Sequence, residues 1–133
     1  MAAGARVTLV NRSAERGERA AALLKLPFLP LDAFDPIDFD LLVNATTLGR
    51  GEEEPLPFPV DHLRPGTVVV DLVYRETPTP LVRAALDRGL EAVDGREVLL
   101  GQAFGQFRMM TGREMPRDLA RRILGLDGLE ARP

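Results

Sequence analysis

The sequence predicts an α/β fold, a parallel sheet flanked by helices, and two features predict it. Short apolar runs alternate with amphipathic segments of about ten residues, the mark of strand–helix–strand units. The apolar runs are continuous rather than alternating, as expected of strands covered on both faces.

The elements follow in order. Residues 6–10 (RVTLV) are short and β-branched, like a buried strand. Asn11-Arg12-Ser13 ends that run. Ser13 is placed to cap a helix over residues 14–25, with Glu15 in its acid-favouring first turn, and Pro27 closes it. Residues 29–34 are interrupted by proline and mix a short strand with a turn. Residues 41–44 (LLVN) read as a second buried strand. Residues 49–59 hold two glycines, three prolines and three glutamates, the composition of a mobile surface loop. Residues 67–71 (TVVVD) are the clearest strand, opened by the Pro65-Gly66 turn. A short helix over residues 80–88 ends at Gly89, and residues 91–93 form another strand. Residues 96–111 read as a mostly apolar helix whose stripe Leu99, Ala103, Phe107 and Met110 belongs to the core. Residues 116–124 read as a final amphipathic helix that starts on proline. One domain over residues 1–126 and a frayed tail over 127–133 are expected.

Composition narrows the function classes. Hydrophobic residues make up 45% and charged residues 28% of 133, enough for one domain with a core. A net charge of -3 gives no general attraction to nucleic acid or anionic membrane, so neither is an expected partner. Cysteine is absent and His62 is the single histidine, which argues against disulfides, thiolate nucleophiles and metal sites built on these residues. His62 reads as a surface residue. No apolar run approaches the roughly 20 residues that span a bilayer, and the start is not a signal peptide, so the cytoplasm is the expected location.

Ligands of parallel sheets bind beyond the carboxyl ends of the strands. The notable residues follow Val10, Val43 and Val70. Asn11-Arg12-Ser13-Ala14-Glu15-Arg16 sets two arginines four apart with no carboxylate directly after the strand. In a dinucleotide-binding fold that position meets the adenosine ribose, where an acid selects NAD and an arginine favours the 2′-phosphate of NADP. Guanidinium suits phosphate because it is planar, permanently charged and bidentate. The same run also fits a capped helix with solvated arginines. Asn44-Ala45-Thr46-Thr47-Leu48-Gly49 is a small, polar loop that lets backbone approach a ligand, or a plain strand-to-loop turn. Tyr74, the one tyrosine, follows a strand end and offers a hydroxyl to a polar substrate or to water. Gly95 opens a helix, and Gln102 lies two turns further on, where an amide among apolar neighbours needs partners. Asp71 and Asp94 sit at strand ends and read as structural carboxylates.

The order of these runs carries more than any one of them. NRSAER, NATTLG, VVDLVY followed by TPTPL, VDG with a glutamine seven residues past the glycine, and a closing Met-Thr-Gly at 110–112 together resemble the shikimate dehydrogenase family. The resemblance covers about residues 4–126 and implies a Rossmann-like fold. It implies an NADP-dependent oxidoreductase that reduces 3-dehydroshikimate to shikimate on the route to aromatic amino acids. It implies that Asn11, Arg12, Ser13 and Arg16 hold the adenosine 2′-phosphate side, that Thr46 lies along the cofactor, and that Leu72 and the backbone at Gly95 meet the nicotinamide. Tyr74 and Gln102 would contact the substrate. The family usually has threonine where Ser13 stands, which keeps the hydroxyl, and often methionine where Val98 stands.

Family members carry the catalytic lysine and aspartate in an N-terminal domain, which this chain is expected to lack, so no catalytic residue is assigned in it and it is expected to be inactive alone. The first strand and the glycine-rich phosphate loop are also expected to be lacking, with Ala3-Gly4-Ala5 as the tail of the helix that follows that loop. In the usual strand order the lacking strand lies between residues 6–10 and 41–44. Its loss leaves two apolar edges. Three outcomes are then expected: the two strands pair directly, a second chain or complementing N-terminal domain fills the gap, or the chain is marginal and self-associates. The competing readings are a stand-alone nucleotide-binding or interaction module without chemistry, and a quinate-type dehydrogenase. Arg12 argues against an NAD-preferring version of the latter.

Overall fold

The computed structural model describes residues 4–127 and divides the chain into two compact units, residues 1–35 and 36–133. The expected frayed tail lies, beyond Asp127, outside the described residues, as does Ala3. Gly4 has φ +73° and Ala5 is non-helical, so neither continues a helix in this structure.

The first unit is a strand–helix–strand. Strand β1 (Leu9–Asn11) leads into helix α1 (Ala14–Leu24), and strand β2 (Phe28–Pro30) returns parallel to β1. Ser13 caps α1 as expected, accepting from the Arg16 amide at 3.4 Å. The first strand starts three residues later than the sequence suggested, and prolines explain its brevity. The Leu9 amide donates to the Pro27 carbonyl, but Pro27 has no N–H to return, and Pro30 lacks one at the other end. Lys25 ends the helix at φ 55°, with its amide on the Ala21 and Ala22 carbonyls.

Gly17 sits in the middle of α1, where helix propensity disfavours it. A Cβ there would lie 2.1 Å from the Phe28 ring, so glycine is what lets α1 close on β2.

The second unit holds a three-stranded parallel sheet in the order β3-β4-β5: β3 (Leu41–Asn44), β4 (Val68–Asp71) and β5 (Glu91–Val93). Leu42 lies opposite Val69, and Val69 opposite Ala92. Helix α2 (Pro80–Asp87) crosses from β4 to β5, capped by the Thr79 hydroxyl. Helices α3 (Gly95–Thr111) and α4 (Arg117–Ile123) follow. Leu42, Val69, Leu81, Val82, Ala85, Leu90, Leu100 and Leu126 form the buried core. His62 ends a short 3-10 turn, exposed as the sequence suggested. No described helix is long and apolar enough to cross a membrane.

Among the described residues β1 pairs with β2 in the first unit, and β3 with β4 and β4 with β5 in the second. Two expectations of burial fail. β3 is covered on one face only: Leu42 and Asn44 are buried, while Leu41 and Val43 are half exposed. The stripe on α3 is not core, since Leu99 and Met110 are exposed and Ala103 and Phe107 only partly covered. The buried part of α3 is its N-terminal end, Gly95, Arg96 and Leu100. Apolar periodicity reports that a surface wants cover, and nothing among the described residues covers these.

Gly17→Ala should therefore destabilise the protein by about 1–3 kcal/mol through overpacking. Gly105→Ala, where a Cβ meets nothing within 4 Å, should stabilise α3 by about 0.5–1 kcal/mol. Urea unfolding of both variants beside the parent chain checks the opposite signs.

Candidate functional site

In the second unit, the carboxyl ends of β3 and β4 are joined by buried polar groups. The Asn44 amide donates to Asp71 Oδ1 at 2.9 Å and to the Leu48 carbonyl at 3.1 Å. Asn44 Oδ1 accepts from the Thr46 amide and from the Thr46 hydroxyl. Both amide hydrogens and both lone pairs of Asn44 are thus used. Asp71 also accepts from the Val73 amide at 3.0 Å and the Thr79 hydroxyl at 2.6 Å. Asn44, Asp71 and Thr79 are almost fully buried. One cluster therefore shapes the loop after β3, the turn after β4 and the start of α2. Burial of these groups is tolerable because each finds partners.

A cleft of about 630 Å³ opens beside this cluster. Thr46, Leu72 and Tyr74, three of the residues singled out from the sequence, line it, together with Ala45, Thr47, Arg50, Val73 and Arg75. Leu72 and Tyr74 are exposed, and the Tyr74 hydroxyl has no protein partner among the described residues. The Thr46 hydroxyl, by contrast, is engaged, giving its proton to Asn44 and accepting from the Leu48 amide at 3.1 Å. Its immediate work is to shape the loop.

Gly95 begins α3 against the end of β4. A Cβ there would stand 2.6 Å from the Val73 carbonyl oxygen, so only glycine allows the approach. Asp94 caps the helix and holds Arg96 through both carboxylate oxygens. Arg96, itself buried, donates from Nη1 to the Glu76 and Leu124 carbonyls at 2.8 and 3.1 Å. The pair fastens the segment after Tyr74 and the end of α4 to the start of α3. Gln102 is exposed on α3 and makes no hydrogen bond among the described residues, so its amide needs no protein partner. That corrects the expectation of an amide set among apolar neighbours.

The remaining predicted residues belong to the first unit. Asn11 ends β1, Ser13 is spent on the helix cap, and Arg12 and Arg16 are exposed and in no ion pair among the described residues. Sequence reasoning missed Arg50, Arg75 and the loop that carries Glu52 and Glu54. The Gly49 and Arg50 amides donate to Glu54 at 2.8 and 3.0 Å. The Gly49 amide, more than any other group, holds the Glu54 carboxyl below the usual range. Glu52 pairs with Arg75 at 2.8 Å and with Arg83, and Arg83 chiefly lowers its pKa. The acidic run looked like loop composition; its pairing was invisible without the fold. Among the described residues no group of histidine, cysteine or acidic side chains could hold a metal ion.

Parallel strands whose carboxyl ends carry small polar loops around a cleft define a Rossmann-like α/β domain. The comparisons with known proteins make the lineage specific. Residues 95–124 match the family described as shikimate 5'-dehydrogenase C-terminal domain. The chain is 37% identical over 124 residues to the NADP(+) shikimate dehydrogenase of Pyrococcus furiosus, covering 90% of this chain and 44% of that protein. It is 49% identical over 90 residues to the corresponding enzyme of Rubrobacter xylanophilus, covering 67% and 32%. The shikimate 5-dehydrogenase of Thermus thermophilus, solved in complex with NADP(H) and shikimate, superposes with a TM-score of 0.77 at 31% identity, over 94% of this chain and 47% of that one. A quinate dehydrogenase of Corynebacterium glutamicum, solved with NAD, gives 0.76 at 25% identity, over 91% and 46%. The chain belongs to the shikimate dehydrogenase family. It spans less than half the length of these relatives.

The polar cluster makes two variants informative. Asp71→Asn turns an acceptor of three hydrogen bonds partly into a donor and should cost about 1–3 kcal/mol, read by urea unfolding. Arg96→Met strands the Asp94 carboxylate and should cost about 3–5 kcal/mol, with amide exchange rising at Leu124, whose amide is bonded to Ala120 at the end of α4.

Proposed function

We propose that this chain is the cofactor-binding part of an NADP-dependent shikimate dehydrogenase. The observation that carries the reading is Arg12, directly after β1, and Arg16, in the first turn of α1, two exposed guanidiniums with no ion-pair partner among the described residues. That is where this fold meets the adenosine ribose. They suit a 2′-phosphate, and the amide-rich start of α1 adds to the attraction. In the second unit the cleft is large enough for a nicotinamide and its ribose, with Leu72 and Tyr74 presented to it. NADP, when bound, would supply hydride transfer, and the residues of this chain would bind and orient it.

The substrate would be 3-dehydroshikimate or shikimate, met by Tyr74 and by Gln102 on α3. The cleft lining contains no carboxylate, imidazole or amine. By the family resemblance, a group from outside the cleft would manage the substrate's proton, and this chain alone would turn over nothing. The NAD-bound quinate dehydrogenase among the structural neighbours keeps a second substrate in view. Arg12 favours NADP for this chain.

Calorimetric titration with NADP, NAD and adenosine 2′,5′-bisphosphate tests the reading. NADP and the bisphosphate should bind, and NAD about tenfold or more weakly. Arg12→Gln should erase most of that preference and leave folding intact. Equal affinity for NADP and NAD would sink the assignment. Binding of the bisphosphate without any effect of Arg12 or Arg16 would move the phosphate elsewhere.

A further inference from the structure

The cleft carries two cations that the cofactor reading leaves unused. Arg50 lines it exposed, with no side-chain hydrogen bond among the described residues. Arg75 lines it with a side chain 24% exposed, and its Nη1 is buried without an aligned hydrogen bond although Glu52 Oε1 stands only 2.8 Å away. That contact is an ion pair. Thr47 adds a hydroxyl with no partner among the described residues, and no acidic residue lines the cleft. The charge that answers Arg75 comes from Glu52, on the loop beyond Arg50, and is shared with Arg83. Glu52 is thus divided between two guanidiniums, while Glu54, which acts on Arg50 through space, is itself held by the Gly49 and Arg50 amides.

We infer that Arg75, Arg50 and Thr47 form an oxyanion subsite for a ligand's carboxylate or phosphate, and that Glu52 is its built-in placeholder. The incoming oxyanion takes over Arg75 and Glu52 withdraws to Arg83. Bidentate guanidinium contacts reward either oxyanion. The Glu52 side chain is 52% exposed, so water partly screens its ion pairs and they can exchange. Glu52, like any exposed glutamate, is charged at neutral pH and so competes. The subsite shares the cleft with the proposed cofactor site and requires nothing of Arg12 or Arg16.

The test titrates the full chain with inorganic phosphate and, separately, with acetate, at constant ionic strength, following backbone amide shifts. Shifts should concentrate at Thr47, Arg50 and Arg75. Glu52→Gln should tighten binding by roughly two- to fivefold, the worth of an exposed pair. Arg75→Gln should weaken it by about tenfold, and Arg75→Lys by less. The stronger of the two anions identifies the kind of ligand group. Affinities that do not respond to Glu52→Gln and Arg75→Gln, or shifts confined to other residues, overturn the subsite. The NADP titrations of the Arg12 variant would be unaffected by that failure, so the two readings fail separately.

Discussion

The second unit depends on one buried carboxylate. Asp71 ends the central strand of a parallel sheet, a place where three segments must turn at once. It accepts hydrogen bonds from Asn44, Val73 and Thr79, one from each of them. Without it, the side-chain amide of Asn44 and the hydroxyl of Thr79 would be buried donors lacking an acceptor, a cost of about 1–3 kcal/mol each. With it, the loop after β3, the turn after β4 and the cap of α2 share one geometry. The cleft forms because that frame is rigid at its floor and the residues above it, Leu72 and Tyr74, remain open to solvent.

The charged groups divide along the same line. Asp94 and Arg96 are buried, mutually satisfied and tied to backbone carbonyls, so they act as structure. Arg12, Arg16 and Arg50 are exposed, and on the readings proposed above they and Arg75 are the charge offered to a ligand. Desolvation decides between the roles. A buried ion must be fully paired to be tolerated, whereas a cation at a loop rim keeps part of its hydration and can exchange partners. Glu52 and Glu54 hold their loop by exposed contacts that are easily traded, which suits a segment bordering a cleft.

Much of this was legible in advance. The spans of β3 and β5, the Ser13 cap and the structural use of Asp71 and Asp94 follow from local rules: apolar runs, capping chemistry, and carboxylates at strand ends. Tyr74 and the loop of Thr46 were found by position after strands, and Leu72 through the family resemblance; the three residues share one cleft. Arg75 and Glu52 were not found, because their meaning lies in a pairing across 20 or more residues of chain that no local pattern signals, and Arg50 was not found because only the fold sets it beside them at the cleft. Gly17 was not found either. A glycine within a helix looks like a minor fault until the Phe28 ring is seen against it.

The sequence by itself determined the kind of fold, the element order and the family, because hydrophobic period, caps and turn residues act over a few neighbours and the motif order is read directly. Only the tertiary structure decided which apolar surfaces are covered and which charges are spent. Leu41, Val43, Leu99 and Met110 look like core by pattern and stand in solvent in this chain. Arg96, an ordinary helix arginine by pattern, is buried and engaged with Asp94, Glu76 and Leu124. Burial and pairing are properties of what arrives from elsewhere in space, and local sequence does not record it.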